Sequence, residues 1–293
     1  MNTHNLKNWF FDIDDTLIDT AGVNDVAAEG MKAVVANTYS AEICQRFVNE
    51  FMAIFDLMLL GYRIKNKQDW VGKESEKDAF QTLIQLIETR QSPVQEKWGS
   101  VKKWSREVFI AIAAERSGIV ATPTFIREAA NAYWVTLTER TIIFPGAKRL
   151  LTVLKEKGLG IYLLTSSDGR LVMRNDGLFE YDPSLSERLK RERIELLRQR
   201  GIPYDVLSIG DPEDKPHSAF FEKGLQAVQN FTGQQVDPAL SIMVGDSFAG
   251  DLQTPLEKLG FAYVILFEKN REKTEEQSAV IKTGDLGDIA MRI

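Results

Sequence analysis

Hydrophobic and polar positions along this chain follow two regimes. Near the N-terminus, Trp9-Phe10-Phe11 is a short apolar run that ends in carboxylates at Asp12 and Asp14. Its length and aromatic content predict a strand over 9–13. Comparable runs return only after the middle of the chain, at 159–164, 206–209, 240–244 and 262–266, with helical spacing between most of them. Strand alternating with helix predicts an α/β fold with a parallel sheet covered on both faces. Between 22 and 142 the periodicity is helical. Phe47, Phe51, Ile54, Phe55 and Met58 fall on one helix face, and further helices are expected near 75–88, 101–116 and 124–138. Ser92-Pro93, Trp98-Gly99 and Thr122-Pro123 are the turn signals between them. The pattern therefore predicts a core domain made of residues 1–21 and 143–293, interrupted by an all-helical domain over 22–142.

The chemistry gathers at the ends of the predicted strands. Side chains at i and i+2 of a strand point to the same side, so Asp12 and Asp14 are expected to face one pocket. Two crowded carboxylates repel unless a cation or a shared proton holds them. Thr165 and Ser166 end the run at 159–164, Lys215-Pro216 precedes a helical pattern, and Gly245-Asp246 with Asp251 follows the run at 240–244. In open α/β sheets ligands bind beyond the carboxyl ends of the strands. A net charge of −6 argues against a general affinity for nucleic acid or an anionic membrane surface. The single cysteine, Cys44, excludes an internal disulfide framework and fits a reducing compartment. With only His4 and His217 beside it, an ordinary zinc site is disfavoured. No signal-peptide pattern is read, and no apolar run approaches the ~18 residues a membrane span needs. A cytoplasmic protein is expected.

Four stretches in order, Asp12-Ile13-Asp14-Asp15-Thr16-Leu17, Thr165, Lys215-Pro216 and Gly245-Asp246-Ser247 with Asp251, resemble the motifs of the haloacid dehalogenase-like superfamily. The similarity covers residues 5–20 and roughly 144–270 and leaves out the middle. It implies a Rossmann-like three-layer core with an inserted helical cap, and a Mg²⁺-dependent phosphomonoesterase working through an aspartyl phosphate. Under that resemblance Asp12 is the nucleophile and Asp14 the proton donor that later acts as base. Thr165, Ser166 and Lys215 bind the phosphoryl group. Asp12, Asp246 and the backbone carbonyl of Asp14 hold Mg²⁺, with Asp251 supporting the metal's water shell or Lys215. The implied substrate is a small phosphorylated metabolite, such as a sugar phosphate or nucleoside monophosphate. A phosphoglucomutase-type phosphotransferase and a non-catalytic phospho-ligand binding protein remain alternatives on the same scaffold.

The interval between Thr165 and Lys215 is long for such a core. It contains an Arg- and Glu-rich helical pattern over 186–200 whose apolar face is expected at Leu185, Leu189 and Leu196, the rest being solvated. Lys190 and Lys223 are alternatives to Lys215 but lack its Lys-Pro context. A basic stretch at Gly61–Lys67 is read as a loop, and Gly22 as a hinge between the two domains.

Overall fold

The computed structural model describes residues 6–64, 70–99 and 104–293. The strands are β1 (Asn8–Phe11), β2 (Ile18–Asp19), β3 (Ile142–Ile143), β4 (Gly160–Ser166), β5 (Leu171–Met173), β6 (Phe179–Tyr181), β7 (Val206–Gly210), β8 (Ser241–Gly245), β9 (Tyr263–Phe267), β10 (Glu275–Gln277) and β11 (Val280–Thr283). Helices α1 to α7 are Asn24–Gly30, Lys32–Val35, Ala41–Arg63, Glu74–Arg90, Ser92–Trp98, Arg106–Arg116 and Pro123–Arg140. Helices α8 to α12 are Pro145–Glu156, Pro183–Gln199, Ser218–Thr232, Gln253–Glu257 and Leu286–Ala290. None of the described helices is long and apolar enough to cross a membrane.

The chain forms two units, one of residues 1–22, 141–167 and 187–293, the other of 23–140 and 168–186. In the first unit seven strands form one sheet in the order β10-β11-β9-β8-β1-β4-β7. All neighbours run parallel except the β10–β11 pair. Strand β1 is central, between β4 and β8, and is apolar on both faces because both are covered. Its alternation sends Trp9 and Phe11 to one side, against Leu150, Leu151 and Leu154 of α8 and Leu286 and Ile289 of α12. Phe10 points to the other side, against Phe220 and Phe221 of α10. This is the three-layer α/β architecture. Strands β2 and β3 pair antiparallel, so the chain leaves and re-enters this unit at adjacent points.

The second unit is not purely helical. Its core includes the Phe47, Phe51, Ile54 and Phe55 stripe of α3, the consecutive run from Val108 to Ala114 of α6, buried on every face, and Ile126, Tyr133 and Leu137 of α7. Leu171, Met173, Phe179 and Tyr181 of the β5–β6 hairpin join the same core. The sequence reading assigned 168–186 to the α/β core. The structure moves it because every second hairpin residue is apolar and buried, whereas Val172 and Glu180 are exposed. Of the basic stretch, Lys65 to Lys67 lie outside the described residues, as does His4.

Candidate active site

The site begins where β1 stops. The amide of Asp12 still donates to the Val244 carbonyl of β8 (2.9 Å), and the chain then turns as Thr16, Leu17 and Ile18 all return hydrogen bonds to the Ile13 carbonyl. Asp15 takes the left-handed conformation at the turn (φ 59°), which aspartate and asparagine tolerate better than other residues with a side chain. The turn brings the fully buried Thr16 hydroxyl to 3.4 Å from both Asp12 Oδ2 and Asp246 Oδ1.

Asp12 is buried, and Lys215 Nζ donates to its Oδ1 at 2.5 Å. The same ammonium donates to Asp251 Oδ1 at 2.8 Å. Asp251 is in turn fixed by the Ser247 amide, which donates to its Oδ2 at 3.0 Å. Gly245 is required here: a Cβ at that position would lie 2.5 Å from Asp251 Cβ. One oxygen each from Asp12, Asp246 and Asp251 all fall within 4.8 Å of one another, a purely oxygen donor set of the kind hard cations such as Mg²⁺ prefer.

The electrostatics follow from that crowding. Burial pushes the Asp12 carboxyl up to about 7 against the opposing pull of Lys215, with Asp251 adding to the rise. Asp246 is raised by desolvation at the strand end and then by Asp12 and Asp251. Asp246 itself reaches solvent beside these carboxylates. Lys215 would be lowered by its burial, but Asp12 and Asp251 hold it above the ordinary lysine value. The cluster carries more negative charge than its one lysine neutralises. A cation bound there would relieve it, and the residues fit such an ion.

Asp14 has a set of partners of its own. Strand β1 ends at Phe11, so the i, i+2 argument no longer fixes where Asp14 points. Among the described residues its carboxylate is hydrogen-bonded by side chains other than those that hold Asp12. Thr20 Oγ1 donates to Oδ1 (2.6 Å), Arg193 Nη2 to Oδ1 (2.6 Å) and Lys190 Nζ to Oδ2 (2.7 Å). Burial alone would raise this carboxyl, but Arg193 and then Lys190 hold it well below the usual carboxylate range. Both cations come from α9, and their side chains are 1% and 5% exposed. The face of α9 that is buried is thus Ser186, Lys190, Arg193, Ile194 and Leu197, and Leu196 is half exposed. The apolar face expected at Leu185, Leu189 and Leu196 is corrected accordingly: the helix turns its cations inward because Asp14 is there to meet them.

Thr165 and Ser166 end β4, the strand beside β1, and Thr165 is buried. Its hydroxyl lies 3.3 Å from the Ser166 carbonyl. Lys223, weighed against Lys215, instead donates to the Ile209 carbonyl. His217 is exposed at the start of α10 and makes no side-chain cap. Sequence reading missed Thr16, Thr20 and Arg193. Thr16 lay inside the first motif, and Arg193 could have been found from its i+3 spacing to Lys190.

A family model for haloacid dehalogenase-like hydrolases matches residues 6–255. The chain belongs to that family. This haloacid dehalogenase-like hydrolase also resembles solved structures across its length. One is the magnesium-bound HAD-hydrolase YfnB of Bacillus subtilis, at 12% identity and a TM-score of 0.51, covering 98% of each chain. Another is a Thermotoga maritima protein assigned as a β-phosphoglucomutase, at 14% identity and a TM-score of 0.53, covering 98% of this chain and 100% of that one. At such identities the likeness is one of fold. A search of the curated proteins returned no match.

Proposed function

We propose that this hydrolase is a Mg²⁺-dependent phosphomonoesterase acting on a small phosphorylated metabolite. The observation that carries the reading is the contact of one buried lysine, Lys215, with both Asp12 and Asp251 at the carboxyl end of the central strands, where Asp246 also converges. An Asp12 oxygen attacks phosphorus, the bond from phosphorus to the ester oxygen breaks, and the departing alkoxide takes a proton. Water then attacks phosphorus, releasing inorganic phosphate and the Asp12 carboxylate. A carboxylate and a phosphate dianion repel each other, and Lys215 offsets part of that charge while holding Asp12 in place. Thr165 and the Ser166 amide are assigned to the phosphoryl oxygens. Asp14 is assigned the proton transfer to the leaving oxygen and from the attacking water.

Asp12, Asp246 and the Asp14 carbonyl would hold the metal, with Asp251 supporting them. When bound, Mg²⁺ supplies charge neutralisation between nucleophile and substrate. The test is phosphate release from a panel of phosphorylated metabolites, with Mg²⁺ and with chelator. Turnover that requires the metal and disappears in Asp12→Asn supports the reading, and the preferred compound defines the substrate class. A folded protein that binds Mg²⁺ yet releases phosphate from none of them would turn the assignment to a phosphotransferase or a binding protein.

A further inference from the structure

We propose that Arg106, the first residue of α6, is the centre of an anion-binding site in the second unit that takes a carboxylate or phosphoryl group of a small molecule. The inference goes beyond the phosphomonoesterase reading and does not depend on it. Arg106 is half-buried, and its guanidinium is ringed by aromatic side chains. Its Cζ lies 4.8 Å from the centre of the Phe55 ring, 5.4 Å from Trp104, 5.6 Å from Trp134 and 6.0 Å from Tyr133. Such rings stabilise a cation through their quadrupoles. They do not replace the acceptor oxygens that the five in-plane N–H groups of an arginine call for.

Those N–H groups are nearly unserved. Nη1 donates to the Trp104 carbonyl at 3.4 Å, a long contact, and Nε is buried with no hydrogen-bond partner among the described residues. No described carboxylate forms an ion pair with the guanidinium. Glu107, next in sequence, is already engaged: one oxygen accepts from Arg170 Nε and the other from the Ser105 hydroxyl at 2.7 Å. Arg170 and Glu107 neutralise each other, which leaves Arg106 as a charge without a counter-ion. A partly buried cation with an unsatisfied donor is costly to keep unless an anion meets it. The donors name the chemistry, because the rigid planar fork of a guanidinium matches two oxygens of one carboxylate or phosphoryl group. The positive end of α6 acts in the same sense, since its N-cap residue Ser105 bonds Glu107 and gives the helix no side-chain cap.

The experiment uses the full-length protein with its arginine side chains and tryptophan indoles labelled with ¹⁵N. The Nε–H signal of Arg106 is assigned by its loss in Arg106→Lys. It is then followed while inorganic phosphate or succinate is added to about 100 mM, enough to saturate a site with a Kd of about 1 mM. At least one probe should move that signal along a saturable curve. The indole N–H signals of Trp104 and Trp134, whose rings stand 5.4 and 5.6 Å from the guanidinium, should follow the same curve. Arg106→Lys keeps the charge and loses the fork, so the indole curves should weaken about tenfold, the loss of roughly one charge-assisted bond. A signal that neither probe moves, or that sodium chloride of matched ionic strength moves equally, overturns the proposal. So do indole curves unchanged in Arg106→Lys. If that variant fails to fold, Arg106→Gln carries the same comparison. The source of the anion is read from two alkyl phosphates, one bearing a carboxylate and the other a hydroxyl in its place. A fall in kcat/KM in Arg106→Lys confined to the carboxylated compound makes the anion the substrate's own second acid group, and an equal effect on both makes it a separate small molecule. Turnover of neither compound by the wild type would remove the phosphomonoesterase reading and leave the titration to decide this one.

Discussion

Gly245→Ala tests whether the fold and the candidate site share one point of close packing. The added Cβ would stand 2.5 Å from Asp251 Cβ and 2.7 Å from its Cγ. Carbon atoms rest about 3.5–4.0 Å apart, so Asp251 must retreat by about 1 Å. It has little room to do so, being 4% exposed and tied through its own amide to the Ser247 carbonyl at 2.8 Å. Overpacking of this kind costs about 1–3 kcal/mol. Pulling Asp251 from Lys215 removes a charge-assisted bond that contributes about 1.5–3 kcal/mol. The two are one displacement and overlap, which gives a loss of about 2–4 kcal/mol. Amide hydrogen exchange in β1 and β8 reads it directly: if those amides exchange through global opening, their rates should rise roughly 30- to 700-fold. Phosphate release should fall as well, since Lys215 loses one of the two carboxylates that orient it. Gly233→Ala is the control, because its φ of 71° strains an alanine but a Cβ there meets nothing within 4 Å. It should cost about 1–2 kcal/mol and leave the site alone. Exchange in Gly245→Ala within about threefold of wild type would refute the packing argument.

Two further predictions address the charges. Asp12, raised to about 7, binds its proton in the folded protein over a pH range where the unfolded chain has lost it, and Asp246 shifts the same way. The folded state then holds more protons, so without metal this pair makes stability fall as pH rises from about 5 to 8. Added Mg²⁺ should raise the melting temperature more at pH 8 than at pH 6, and an equal or reversed metal effect would count against Asp12 and Asp246 as its ligands. In the second unit, Arg170 and Glu107 form a buried ion pair, with Asn131 on Arg170 and Ser105 on Glu107. Arg170→Met should cost about 3–5 kcal/mol in thermal or urea unfolding by stranding the carboxylate. Adding Glu107→Gln should recover part of that loss, and a double variant as unstable as the single would refute the pairing as the cause.

Much of the core was legible because β strands buried on both faces write themselves as short apolar runs. Trp9-Phe10-Phe11 and Ile242-Met243-Val244 needed no further context, and the polar residues after them mark the sheet's carboxyl edge. The Phe47, Phe51 and Phe55 stripe was as plain, since helical spacing and burial agree there. The β5–β6 hairpin escaped because three-residue strands give too few alternations to stand out from a loop, and its apolar residues look like neighbours of the strand before it. Only packing assigns Leu171 and Phe179 to the other unit's core.

Helix α9 was misread for a different reason. Leu185, Leu189 and Leu196 fall at helical spacing, and the rule that apolar faces are buried and charged faces solvated chose them. That rule weighs each residue by its own transfer cost. It cannot weigh a lysine and an arginine whose burial is offset by a carboxylate about 180 positions earlier in the chain. The ion pairs reverse the sign of the burial term for Lys190 and Arg193, and so rotate the helix relative to its apolar pattern. For the same reason the first motif reads as a pair of acids without showing which partners each one meets. Residue type at Asp12 and Asp14 is local information, but the direction each carboxylate takes is set by cations on α9 and by Lys215, which the sequence places far away.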